Sequence, residues 1–135
     1  MKELKLVLTH QWYDMIDTPM KGEEYRRVSA YWIKRLFVED KLVNSDGDME
    51  PYRLTDKQCE EYEAHPLKLA ADLDAGLIRC PYTHVTFQRA YHKNPPRMTW
   101  SIRGIRIGTG EAEWGAYPRT IYIVIMLGER KEPAK

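Results

Sequence analysis

Alternating and helical stripes of apolar residues divide this chain into elements. Leu4, Leu6 and Leu8 alternate with polar or smaller neighbours, which predicts a strand over 4–9 with His10 carrying that face to its end. Trp12, Met15 and Ile16 then stand at helical spacing, so a short helix is expected from Thr9 or His10 to Asp17, stopped by Thr18-Pro19. A loop, Met20 to Glu23, leads to a strand from Glu24 to Val28. On it Glu24, Arg26 and Val28 share one face, with Tyr25 and Arg27 on the other. Ser29 is placed to cap a helix reaching Phe37, burying Trp32, Ile33, Leu36 and Phe37 and leaving Lys34 and Arg35 solvated.

Residues 39–53 are polar, with Asn44-Ser45-Asp46-Gly47-Asp48 as a turn-rich tip. Thr55 and Gln58 make a capping box for a helix to Glu63. Pro66 opens another helix, carrying Leu67, Leu69, Ala70 and Leu73 and stopped by Gly76. Beyond it the pattern turns to strands. Thr83, Val85, Phe87, Arg89 and Tyr91 fall on one face, and residues 92–96 form a turn. From Met98 to Ile107 the apolar phase switches from Trp100 and Ile102 to Ile105 and Ile107, which predicts a β-bulge at Arg103-Gly104. After a connection over 108–118, Ile121 to Leu127 is apolar on both faces, as a central strand requires. The order implies one α+β domain over 1–135: a small, bent, antiparallel β-barrel or sheet with helices packed around it.

Composition adjusts this picture in three places. With 21 basic and 20 acidic residues, the chain is not a strongly electrostatic, non-specific nucleic-acid binder, although a local basic pocket remains compatible. Two cysteines without CxxC spacing offer neither a disulfide framework nor a zinc pattern and suit a reducing, cytoplasmic compartment. No apolar run reaches membrane length, and residues 4–9 are too short for a signal core. Nine tyrosines and four tryptophans against two phenylalanines favour half-wet clefts as well as cores.

Several familiar motifs fail on their residues. An EF-hand beginning at Asn44 would have Met49 at its glycine position and Thr55 at its closing glutamate. The four histidines lack metal-ligand spacing, so no metal is expected, and Gly108-Thr109-Gly110 lacks the remainder of a dinucleotide fingerprint, so no cofactor is expected.

The informative segment is Pro19-Met20-Lys21-Gly22-Glu23-Glu24-Tyr25-Arg26. Lys21, Glu24 and Arg26 converge where a helix ends and a strand begins, offering donors to phosphate or carbonyl oxygens and an acceptor to an exocyclic amine. The segment resembles the G-x-K-x-x-E-x-R hallmark of the ASCH family within the PUA-like superfamily. Lys21, Glu24 and Arg26 fall on its charged positions and Pro19 on its glycine. The strand and helix before it, and the stretch from Val85 through Trp114-Gly115 to Gly128, look like a small subgroup common in phage and bacterial genomes. Residues 39–76 then read as a variable helical insertion.

The resemblance implies a PUA-like barrel whose cleft binds a nucleic acid, RNA foremost, or a nucleotide. The ligand-binding candidates are Lys21, Glu24, Tyr25, Arg26, Arg89 and Trp114, with Tyr25 and Trp114 as stacking rings. Arg97, Arg103, Arg106, Arg119 and Lys93 are candidates for a basic rim. Each has a plainer alternative: a strand ion pair for Glu24 and Arg26, a solvated loop lysine for Lys21, a structural pair for Arg89, core packing for the rings. Small family members that deacylate a modified cytidine imply a second reading, an amidohydrolase, with Lys21 and Glu24 as its catalytic candidates. Those enzymes resemble a lysine–threonine–glutamate arrangement, and this chain has Glu24 where they have threonine. A third reading is a protein-interaction adaptor.

Overall fold

The computed structural model describes residues 2–43 and 49–131. Its elements in chain order are β1 (Glu3–Leu8), α1 (His10–Asp17), β2 (Glu23–Arg27), α2 (Ala30–Leu36), β3 (Val38–Val43), β4 (Met49–Arg53), α3 (Asp56–Ala64), α4 (Pro66–Asp74), β5 (Ile78–Arg79), β6 (His84–Arg89), β7 (Arg97–Gly108) and β8 (Tyr122–Lys131). A single 3-10 turn, Ala112–Trp114, lies between β7 and β8.

Five strands form a curled half-barrel sheet in the order β1-β6-β7-β8-β2, and β4-β3-β5 form a smaller sheet. The large sheet is mixed rather than antiparallel throughout. β1 and β6 run parallel, from Glu3↔His84 to Leu8↔Arg89, because everything from α1 to β5 intervenes as one long crossover. β1 and β2 are therefore the two edges, and the curl is left open between them.

Local signals explain most of the helices. The Ser29 side chain accepts from the Trp32 backbone N–H, capping α2. Thr55 and Gln58 form the reciprocal capping box of α3. Pro66 opens α4, and Gly76 stops the chain just beyond it at φ 76°. The apolar stripes of α4 and α1 depart from expectation. Leu67 is exposed, and in α1 the residue buried beside Ile16 is Tyr13, with Trp12 and Met15 only partly covered. His10 opens α1 as an exposed residue rather than extending β1.

Residues 39–53, read as a polar run with a turn-rich tip, instead belong to the β3–β4 hairpin, which pairs from Val38↔Arg53 to Val43↔Met49. The turn-rich tip at 44–48 lies outside the described residues. Polar residues conceal a strand when one face is solvated and the run is short.

One core lies against the face formed by Leu4, Leu6 and Leu8 of β1, Val85 and Phe87 of β6, and Ile123, Ile125 and Leu127 of β8. α1 supplies Tyr13 and Ile16 to it, and α2 supplies Ile33 and Leu36. A second, smaller cluster covers the opposite face of β8, where Tyr122 and Val124 meet Ala116 and Tyr25. β8 is thus buried on both faces and central, as its unbroken apolar run requires.

The bulge expected at Arg103-Gly104 is present: Ile102 faces Leu127 and Gly104 faces Met126, leaving Arg103 unmatched. A second irregularity precedes it, with Trp100 opposite Arg130, which places the extra residue on β8. There Ser101 Oγ accepts from the Glu129 N–H at 2.8 Å. Both breaks bend the β7–β8 pair and curl the sheet.

Candidate functional site

The site is built at the joint between α1 and β2. The N–H groups of Met20 and Lys21 both donate to Met15 O, at 2.8 and 3.1 Å, folding the chain back from the end of α1. Leu127 N–H then donates to Gly22 O at 3.0 Å, tying the start of β2 to β8. Across that pair Glu24 opposes Ile125 and Arg26 opposes Ile123, so both charged residues share the face of the main core. Tyr25 opposes Val124 and joins the second cluster on the other face.

Lys21, Glu24 and Arg26 form one chain of charge. Lys21 Nζ donates to Glu24 Oε1 at 2.7 Å, and Arg26 Nη2 donates to Glu24 Oε2 at 2.8 Å. Exposure is graded along it: 2% for the Lys21 side chain, 6% for Glu24 and 18% for Arg26. Two cations share one carboxylate, so the group carries one net positive charge, and Arg26 is its solvent-facing end.

Aromatic rings enclose the buried end. Lys21 Nζ lies 5.0 Å from the centroid of the Trp12 ring and 5.7 Å from that of Tyr25, within cation–π range. Trp114 sits over Gly22, within 3.9 Å of where a side chain there would begin. Gly115 holds φ 102° and lets the chain pass the Trp12 ring, which a Cβ would approach to 3.0 Å.

Tyr25 is committed to structure. Its hydroxyl donates to Glu23 Oε1 at 2.8 Å and accepts from the Glu111 N–H at 2.9 Å, anchoring the β7–β8 connection. Burial, reinforced by the hydrogen bond to Glu23, holds its phenol above the ordinary range, so it remains a donor.

At the exposed end, the Arg26 guanidinium lies 4.7 Å from the centroid of the Trp32 ring, and that of Arg35 lies 5.2 Å from the same ring. Arg26 Nε is buried without a hydrogen-bond partner. Arg35 Nη2 donates to Lys5 O at 2.6 Å, so α2 is pinned to the open edge of β1. Between these groups is a cavity of about 280 Å³ lined by Lys5, Arg26, Trp32, Arg35 and the exposed rings of Tyr31 and Tyr91. It occupies the opening between β1 and β2 and is near the lower end of small-molecule sites, about 300–1,000 Å³.

The structure thus joins Lys21, Glu24 and Arg26, with Tyr25 and Trp114 packed around the buried end rather than lining the Arg26 cavity. Arg89 is engaged elsewhere: its Nε and Nη2 donate to the Asp14 carboxylate of α1 at 2.9 and 3.2 Å. Of the suggested basic rim, Arg106 pairs with Glu23 at 3.2 Å and Arg97 donates to Gln88 at 3.2 Å. Arg119 borders a separate basin with Tyr25 and Tyr117. Sequence reasoning missed Trp32, assigned wholly to the core, and Arg35, assigned to solvent. The usable signal was Tyr31-Trp32 beside Lys34-Arg35 on one short helix, a mixture that buries badly. Among the described residues, no three His, Cys, Asp or Glu side chains are grouped as metal ligands, and no helix is long and apolar enough to cross a membrane.

The Asp14–Arg89 pair has a pH signature. The hydrogen bond from Arg89 holds the Asp14 carboxyl below its ordinary value of 3.8. A carboxyl lowered in the folded state stabilises it above the unfolded value and loses that contribution as pH falls through the folded one. Asp14→Asn is therefore expected to lower the melting temperature at neutral pH, with the gap from wild type closing below pH 3.8. Melting curves across that range check it, and a gap independent of pH would assign the loss to something other than charge.

No family model, curated protein or solved structure matches this chain.

Proposed function

We propose that the chain is an ASCH-type, PUA-like domain that binds RNA or a nucleotide in the opening between β1 and β2, with Arg26 as the exposed end of its motif. The observation that carries this is the lining of the Arg26 cavity: three cations, Lys5, Arg26 and Arg35, with three aromatic side chains and, among the described residues, no carboxylate. Guanidinium groups suit phosphate and base acceptors, and exposed rings suit an unstacked base. Glu24 fixes Arg26 from behind, and the net charge of the triad favours an anion. The two free thiols, Cys59 and Cys80, suit a cytoplasmic setting.

The hydrolase reading has less support. Its proton-transfer candidate, Lys21, is covered by rings, and both Glu24 oxygens already serve cations. Behind the adaptor reading stand exposed apolar side chains, such as Leu67, Leu77, Tyr91 and Tyr117, scattered over several parts of the chain.

A thermal-shift screen against nucleosides, nucleotides and short RNA and DNA oligomers tests the proposal. A ligand at a hundred times its dissociation constant adds about 2.7 kcal/mol to stability. The shift should vanish in Arg26→Gln and shrink in Tyr91→Ala, whose 85% exposed ring has little structural part to lose. No shift with any nucleic-acid ligand would overturn the reading.

A further inference from the structure

We infer that the site takes a single-stranded polynucleotide rather than a free mononucleotide, the strand continuing from the Arg26 cavity across α2 onto a second basic cavity. This rests on the function proposed above and names its ligand class. The second cavity, about 300 Å³, shares Tyr31 and Arg35 with the first, so the two adjoin across one helix. Its other walls include Lys2, Lys34, Arg53 and Tyr82. The two cavities together are lined by the cations Lys2, Lys5, Arg26, Lys34, Arg35 and Arg53, and among the described residues neither is lined by an aspartate or glutamate.

These cations come from the N-terminal segment, β1, β2, α2 and β4, so the fold, not a local charge run, assembles them. That concentration stands out in a chain of 21 basic and 20 acidic residues. Lys34 has a carboxylate neighbour, Asp56, at 2.6 Å, but both side chains are open to solvent, so the pair is exchangeable.

Rings recur along the same path. Trp32 lies in the first cavity, Tyr31 at the junction, and Tyr82 in the second, with Lys2 Nζ 5.6 Å from its centroid. A groove of cations interleaved with aromatic faces is what a flexible strand needs: charges for successive phosphates and surfaces for successive bases. A mononucleotide would occupy the first cavity and leave the second without a role.

Fluorescence anisotropy with labelled oligouridylate and oligothymidylate of about 2, 4 and 8 nucleotides, beside competition by uridine monophosphate, tests this over a range of salt. Affinity should rise about tenfold or more from the shortest to the longest strand. The log–log salt slope should be about −2 to −3, as for three or four phosphates on a single strand. Lys2→Ala combined with Arg53→Ala, both exposed, should weaken the longest strand about tenfold and leave monophosphate competition unchanged, with melting temperature as the fold control. A preference for the ribo- or deoxyribo-strand would name the source, and either supports the inference. Affinity independent of length, or an unaffected double variant, with the monophosphate still bound through Arg26, would overturn this inference and leave the proposed function standing. Binding of neither strand nor monophosphate would remove both.

Discussion

Glu24→Ala is expected to cost about 3–5 kcal/mol of folding stability, as does removal of one partner from other buried ion pairs. The reason is geometric. Glu24 is 5% exposed and is the carboxylate that both Lys21 and Arg26 contact. Without it, a lysine ammonium with a 2% exposed side chain has neither water nor an acid, and a desolvated unpaired charge is the costliest defect a small core can hold. Lys21→Met should cost less, because Glu24 keeps Arg26 and the thioether replaces the aliphatic stem against Trp12. Lys21→Met with Glu24→Leu should recover part of the loss, since apolar replacement of a buried pair is often neutral or better. Urea unfolding of wild type, Lys21→Met, Glu24→Leu and the double variant completes a double-mutant cycle, with Glu24→Ala measured beside them. If Glu24→Ala stays within about 1 kcal/mol of wild type, the triad behaves as a solvated surface pair and its burial is transient.

The same triad shows what could be read from the chain before its structure. Spacing alone placed Glu24 and Arg26 on one face of a strand, because side chains two apart in β structure must share a side. The bulge at Arg103 and the centrality of β8 were legible for the same reason: alternation that slips, or that disappears, has one structural meaning each. Caps were legible at Ser29, Thr55 and Pro66 because their chemistry is local.

What could not be read was long-range. The parallel pairing of β1 with β6 leaves no mark on either strand, so an antiparallel arrangement was expected, and the opening between β1 and β2 followed from neither. That opening gives Trp32 and Arg35 their place. On the helix they read as core and solvent, and only the exposed edge of β1 brings them together over Arg26. Arg89 was conspicuous as a charge on an apolar face, but α1 lies across that face and supplies Asp14. The β3–β4 hairpin was hidden because polar residues fit a half-solvated strand as well as a loop.

Phe87→Ala is expected to cost about 3–5 kcal/mol, the usual range for a buried phenylalanine. Phe87 is fully buried on the middle of β6, directly between Leu6 of β1 and Met98 of β7, which are buried on the same face. Sheet backbones hold these neighbours in register, so they cannot collapse into the space the ring leaves, and the cavity penalty adds to the lost transfer energy. Phe87→Leu retains most of the volume and should cost less than about 1.5 kcal/mol. The effect should also reach the proposed groove. Leu6 packs beside Phe87 and, with Lys5 and Val7, forms the β1 wall of the Arg26 cavity, so loosening it displaces that wall. Ligand affinity measured well below the melting temperature should therefore fall in Phe87→Ala together with stability. In Tyr91→Ala, where an exposed ring is removed from the same cavity, affinity should fall with stability unchanged. Wild-type affinity in a destabilised Phe87→Ala would show that the groove wall is held from α2, through the Arg35 bond to Lys5 O, independently of the sheet core beneath it.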